Sequence, residues 1–360
     1  MSVRVLSARD VQQVTDGLRA PVLIDMMAKT LAAISDASMQ TPDGITSIQN
    51  PLRISTETPR HKTLYMPSRL TTAETSETAI KVVAVPKPDC PVPGLPATNL
   101  LMDEESGAVR AIVNSGALTG IRTAAASALA TKLLADPDST SLLVFGTGVQ
   151  AFHHARLILE LFPKIERLGI VARAPTSRAR AMASNLPDLF PSVRTALVDE
   201  AELDAALRDA DIICTCVPST SPLFEVEQLK PSVHINAIGS YTPSMFEFPP
   251  ALIAETQNVP STRAPIPQVL VDSRTACLAE SGELIAAKIA ASRTTELGEL
   301  FEAKTGIVNV DPDTREKVKA LRAGGRSLFK CVGIGGMDVA ITRLVVEEAE
   351  KRSFGAVVPF

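Results

Sequence analysis

The stretch Ser141-Leu-Leu-Val-Phe-Gly-Thr-Gly-Val-Gln-Ala151 decides the fold. Ser141 to Phe145 reads as a buried parallel strand, and Phe152 to Phe162 as a helix. Between them Gly146, Gly148 and Ala151 follow the spacing G-x-G-x-x-A. That is the order a dinucleotide-binding turn requires. The first glycine permits the tight turn, and the second lets the backbone approach a pyrophosphate. The small third residue lets helix and strand pack closely, with the helix N-terminus facing the phosphate charge. An ordinary strand-turn-helix with small residues at the bend would look the same, so the context matters.

The bulk properties suit a cytoplasmic protein of two domains. The chain has 360 residues, 45% of them hydrophobic, and a net charge of −4. Its mean hydropathy is +0.16. No apolar run reaches the roughly 18 residues of a membrane span, and Met1-Ser-Val-Arg-Val-Leu-Ser7 is no signal-peptide core. The charge balance gives no reason to expect nucleic acid or an anionic membrane as partner. Five scattered cysteines (Cys90, Cys214, Cys216, Cys277, Cys331) without a C-x-x-C point to a reducing compartment and structural thiols. The four histidines make no ligand pattern, and no metal is expected. His153-His154 reads as packing or surface.

The periodicity predicts helix over 8–35 and antiparallel strands over 50–115. The strands are Thr63–Met66, Ile80–Val85, Ala97–Met102 and Val109–Val113, with a hairpin connection at Asp103–Gly107. The proline cluster from Pro86 to Pro96 is a loop. From about 119 the pattern alternates. A helix over Thr123–Leu134 precedes the glycine turn, and strands follow at Leu168–Ala172, Thr195–Val198, Asp211–Val217 and Val233–Gly239. A helix over Glu200–Asp209 lies among them, and helices over Arg315–Ala323 and Val339–Arg352 close the chain. This predicts an α/β protein, a Rossmann-type doubly wound parallel sheet plus a second α+β domain. The expected division is 119–315 for the dinucleotide domain, and 1–118 with 316–360 for the other.

The second strand of that series ends Val171-Ala-Arg-Ala-Pro-Thr-Ser-Arg178. It lacks the acid that would bind the ribose hydroxyls of NAD. Arg173, Ser177 and Arg178 suit a 2′-phosphate instead, so NADPH is the expected cofactor, with NADH as the alternative. A solvated basic loop is the other reading of these residues.

Thr119-Gly-Ile-Arg-Thr-Ala-Ala-Ala-Ser-Ala-Leu-Ala-Thr-Lys132, upstream of Gly-Thr-Gly-Val-Gln-Ala, resembles the ornithine cyclodeaminase/μ-crystallin family. So do His234–Gly239, Val271–Leu284, Glu296-Leu-Gly-Glu299 and Phe329-Lys-Cys-Val-Gly333. The resemblance implies a homodimer joined through the sheets of the non-nucleotide lobe, which also binds substrate. By position it implies that Arg53 and Arg122 bind a substrate carboxylate and that Lys81 reaches the substrate. It also implies that Thr98, Arg122, Gly146, Thr147, Gly148, Val149, Gln150, Ala151, Val332 and Gly333 contact the cofactor. Independently of the resemblance, a carboxylate substrate needs fixed cations. Lys81 is the one charge in the apolar strand Ile80-Lys-Val-Val-Ala-Val85.

Two departures bear on the reaction. Ornithine cyclodeaminases carry an aspartate two residues after the glycine of the I-N-A-x-G strand, and here Tyr241 stands there. A phenol, with an ordinary pKa of about 10, is a poor base at neutral pH. The resemblance is therefore closer to ketimine reductases of the μ-crystallin type. Glu247, the family's nearby acid, reads as structural. Cys331 replaces the serine of many members. The expected function is NADPH-dependent reduction of a small cyclic α-imino acid to an amino acid such as pipecolate or proline. Lys81, Arg122 and Tyr241 would be catalytic, and Arg53, Lys81 and Arg122 would bind substrate. The alternatives are reductive amination of a 2-oxo acid, in the manner of alanine dehydrogenase or an opine-forming enzyme, ornithine cyclodeamination, and a non-catalytic NADPH- or small-ligand-binding protein.

Overall fold

The computed structural model describes residues 2–36, 48–72, 75–87, 89–91, 94–254, 265–309 and 311–359. The chain runs β1 (Ser2–Leu6), α1 (Ala8–Thr15), α2 (Ala20–Ser35), β2 (Ile48–Gln49), β3 (Ile54–Glu57), β4 (His61–Thr71), β5 (Ser76–Pro86), β6 (Ala97–Met102), β7 (Val109–Asn114) and α3 (Leu118–Leu134). It continues with β8 (Ser141–Phe145), α4 (Val149–Leu161), β9 (Arg167–Val171), α5 (Ser177–Leu189), β10 (Arg194–Val198), α6 (Leu203–Asp209), β11 (Ile212–Thr215) and β12 (His234–Ala237). Then come β13 (Val269–Val271), α7 (Arg274–Glu280), α8 (Gly282–Ala286), β14 (Thr294–Glu296), α9 (Pro312–Arg322), β15 (Ser327–Lys330), α10 (Gly335–Lys351) and β16 (Ala356–Pro359).

These elements form two compact units. The first holds Met1–Arg122, Phe301–Ile307 and Ile334–Phe360, and the second Thr123–Leu300 and Val308–Gly333. The chain visits the first unit at Phe301–Ile307 and returns to stay only at Ile334. The reason is β15, which pairs in parallel with β12 and β13 and so keeps Ser327–Lys330 in the second unit's sheet.

In the first unit the strand order is β16-β1-β7-β6-β5-β4-β2, with β3 also on β4. All these pairings are antiparallel except β1 with β7. Residues alternate between the two faces of the sheet. One face of β5 carries Glu77, Ala79, Lys81 and Val83, all buried. Helix α10 packs across β4, β5 and β6 and against α2. A Cβ on Gly335 would come within 2.8 Å of the Ser68 Cβ, so only glycine lets α10 start this close to β4. The helix predicted over 8–35 breaks into α1 and α2 at residues 16–19, and Pro21 sits in the first turn of α2 where it fits.

In the second unit eight strands form a wholly parallel sheet, in the order β10-β9-β8-β11-β12-β15-β13-β14. All five residues of β8 are buried, as a strand covered on both faces requires. The order reverses at β8. The chain steps outward through β9 and β10, then returns to the other side of β8 with β11. Such a switch point opens a crevice at the carboxyl ends of the strands. Among the described residues, no helix is long and apolar enough to cross a membrane.

Phe329 on β15 is fully buried. We expect Phe329→Ala to lower the unfolding free energy of the second unit by about 3–5 kcal/mol in a urea titration. A change below about 1 kcal/mol would mean that β15 does not carry that core.

Candidate functional site

In the first unit the fold gathers charge in an otherwise apolar place. Lys81 projects from the buried face of β5, and Arg122 lies in the first turns of α3. Asp338 stands in the first turn of α10 and is 2% exposed. Lys81 Nζ donates to Asp338 Oδ1 at 3.1 Å, and Arg122 Nε donates to the same oxygen at 3.2 Å. Arg122 Nη1 lies 3.7 Å from the Met337 sulfur. Burial, opposed by Asp338 but aided by Arg122 and then Arg53, brings the Lys81 ammonium down to about 8. Asp338 is pushed up by burial, but Arg122 and Lys81 outweigh this and hold its carboxyl below the usual range. Arg53, half-buried just before β3, is close enough for its charge to act on Lys81.

Asp338 was not singled out from the sequence. Its only signal is an acid within the run Ile334-Gly-Gly-Met-Asp-Val-Ala-Ile341. The expected set of three cations is thus a set of three cations and one anion. Asp338 Oδ2 is buried and accepts no hydrogen bond among the described residues. Thr98 pairs with Val82 across β5 and β6, while Asn99 pairs with Lys81. By strand alternation Thr98 lies on the opposite face of the sheet from Lys81.

The second unit holds the glycine turn at the switch point. Gly146 has φ 111°, and a Cβ there would meet the Cys216 carbonyl and the Val217 side chain, each at 3.0 Å. The turn therefore presses against the end of β11 as only glycine allows. A Cβ on Gly148 would meet nothing within 4 Å, so the space beside the helix start is open. Gly148 caps α4 in extended conformation, with no side chain at the cap. The first-turn N–H groups, from Val149, Gln150 and Ala151, have no acceptor inside the helix and suit a pyrophosphate. The residues present fit a dinucleotide. At the end of β9 no acid appears. Arg173, Ser177 and Arg178 are exposed around the start of α5, and Thr176 caps that helix by accepting from Ala179 N at 3.2 Å.

Two buried carboxylates shape the neighbouring strand ends. Glu247 accepts from Val217 N at 3.1 Å through Oε1, and from Gly239 N at 2.7 Å and Ser240 N at 3.1 Å through Oε2. It thereby ties the ends of β11 and β12, beside the half-buried Tyr241. Glu283 accepts from Glu247 N at 2.7 Å and from the Ser240 hydroxyl at 2.9 Å. Lys330 lies 3.9 Å from both acids and donates to the Ser240 carbonyl at 2.6 Å. Burial pushes Glu247 up to about 7, with Lys330 and the backbone donors opposing it. Asp272, missed in the sequence, accepts from Val332 N at 3.3 Å, Gly333 N at 2.7 Å and the Cys331 thiol at 3.1 Å. The cysteine thus makes the donor contact a serine hydroxyl could make. Cys214, His153 and His154 are buried, and His154 links the Gln150 carbonyl at 2.7 Å to the Ser127 hydroxyl at 2.9 Å.

The model of the ornithine cyclodeaminase/mu-crystallin family matches residues 18–353. The chain is 30% identical over 346 residues to the ketimine reductase mu-crystallin of Mus musculus, covering 95% of this chain and 96% of that protein. It is 30% identical over 262 residues to a Delta(1)-pyrroline-2-carboxylate reductase of Bacillus cereus, with 72% and 73% covered. The Delta(1)-pyrroline-2-carboxylate reductase of Thermococcus litoralis, solved with NADH and L-proline, shares the fold. Its TM-score is 0.76 at 24% identity, over 98% of this chain and 99% of that one.

Glu247 gives a pH prediction. Its folded value, about 7, stands above the ordinary 4.5, so its contribution to stability is full below 4.5 and is lost as pH rises to 7. Glu247→Gln is less stable at every pH, because an amide nitrogen must face a backbone N–H. The gap between parent and variant narrows between pH 4.5 and 7. Urea midpoints of both proteins across that range check it, and a gap that holds or widens contradicts the assignment.

Proposed function

Because the chain belongs to the ornithine cyclodeaminase/mu-crystallin family, we propose that it is an NADPH-dependent oxidoreductase reducing the C=N bond of a small, cyclic α-imino acid. The observation that carries this reading is the buried cluster of Lys81, Arg122 and Asp338 with Arg53 acting on it, in one chain with a dinucleotide turn. The names of the mouse and Bacillus relatives support it. Imine, NADPH and one proton give the amino acid and NADP+. The reduced nicotinamide supplies the hydride.

The chain's residues supply the rest. Arg53 and Arg122 bind the carboxylate, and the planar guanidinium suits it in two-point fashion. Lys81, with a value of about 8, is protonated at neutral pH yet close enough to it to release its proton to the imine nitrogen. Tyr241, standing where cyclodeaminases carry an aspartate, offers no base for ornithine deamination, which favours reduction over cyclodeamination. Val332 and Gly333, fixed through Asp272, contact the cofactor, and Arg173, Ser177 and Arg178 bind the 2′-phosphate. The half-buried outer face of the first unit's sheet, with Ile80, Val82, Leu100 and Ile112, joins two copies as a homodimer.

The direct test mixes the protein with NADPH and Δ1-piperideine-2-carboxylate or Δ1-pyrroline-2-carboxylate. Loss of the reduced-nicotinamide absorbance is expected with at least one, and its absence with both removes the reading. In the active protein kcat/KM falls as pH rises above about 8, where Lys81 loses its proton. Lys81→Arg keeps the charge but not a transferable proton, so kcat drops roughly 10²–10⁴-fold. Arg173→Ala with Arg178→Ala raises KM for NADPH far more than for NADH, and an equal rise for both would place the 2′-phosphate elsewhere.

A further inference from the structure

Asp338 is the unexplained group of the first unit. One of its oxygens takes both cationic donors, from Lys81 and Arg122. The other is buried and takes none among the described residues. An ionised carboxylate oxygen left bare in the interior is costly, and native structures almost always satisfy such atoms. The bare oxygen adds nothing to the fold, since α10 is held by its packing on β4, β5 and β6 and by the two bonds to the other oxygen. Nor does the single charge of Asp338 match the two cations that donate to it. The bare oxygen is therefore suited to an N–H donor that comes with a ligand, next to the place where the same ligand's carboxylate is held.

We propose that Asp338 Oδ2 is the acceptor for the nitrogen-bound hydrogen of the substrate, so that the site takes a protonated imine and discriminates against a 2-oxo acid or any analogue without that N–H. This rests on the α-imino acid reading and adds to it the residue that reads the nitrogen. A protonated α-imino acid carries adjacent positive and negative groups, and the cluster presents their complement, one anion beside three cations. The carbonyl oxygen of a 2-oxo acid would set lone pair against lone pair at Oδ2. Asp338 holds the N–H, while Lys81, on the other oxygen of the same carboxylate, exchanges protons with the nitrogen.

The test uses two flat acids that differ in one atom. Pyrrole-2-carboxylate has an N–H beside the carboxylate, and furan-2-carboxylate has a ring oxygen there. Binding to the NADP+-loaded protein is measured by calorimetry, so no turnover is needed. The parent binds the pyrrole acid about tenfold or more tighter, as expected for a hydrogen bond to a charged group. Asp338→Asn still accepts from Lys81 and Arg122 through its oxygen but places an NH₂ group where Oδ2 was. Its preference collapses to near unity or reverses, whereas a merely structural role would weaken both acids alike and leave the ratio unchanged. Lys81→Met keeps the acceptor and keeps the preference, and it serves as the check if the asparagine variant does not fold. Equal binding of both acids by the parent, an unchanged ratio in Asp338→Asn, or loss of preference in Lys81→Met each overturns the proposal. Failure to reduce any imine, with the N–H preference intact, would instead fall on the catalytic reading.

Discussion

One buried carboxylate holding two buried cations is the constraint around which the first unit is arranged. Lys81 from β5 and Arg122 from α3 meet at a single oxygen of Asp338 on α10. Three elements far apart in sequence are thereby set in register. Removing one member of such a buried set costs about 3–5 kcal/mol, because the others remain charged and dry. The Gly335 contact with β4 lets α10 come near enough for its first turn to reach the pair. The same burial that makes the arrangement costly to disrupt lowers Lys81 to about 8 and leaves one carboxylate oxygen bare.

The polar clusters of the second unit are of a different kind. Glu247 ties the backbone of β11 to that of β12, Glu283 ties the Glu247 segment in turn, and Asp272 holds Cys331, Val332 and Gly333. Their oxygens are filled by the chain's own donors. Such satisfied networks specify one backbone conformation at the strand ends without offering a vacant group to a ligand. What the second unit offers is backbone, in the open space beside Gly148 and the start of α4. The exposed and buried polar groups thus differ between the units. In one a few charged side chains are set out of water, and in the other N–H groups are set at a helix end.

Much of this architecture was legible in the residues. Strand β8 and the turn after it carry their own signature, since five buried residues and two glycines leave few conformations open. Strands β4 to β7 announce themselves by alternation, and β6 was read to the residue. The short strands β13, β14 and β15 were not read at all. Three or four residues are too few to show a period, and their membership depends on partners supplied by distant segments. The short strand β1 and the edge strand β16 beside it escaped for the same reason.

The sequence alone determined the glycine turn and marked Lys81 as a charge within an apolar strand, because both are local features, whereas Arg53 and Arg122 stood out only through the family resemblance. Only the tertiary structure decided that Lys81 and Arg122 share one oxygen of Asp338, that Thr98 faces away from Lys81, and that Glu247, Glu283 and Asp272 are spent on backbone. Whether a charged side chain is paired or available is set by what other segments bring within about 3 Å of it. No pattern within one segment records that.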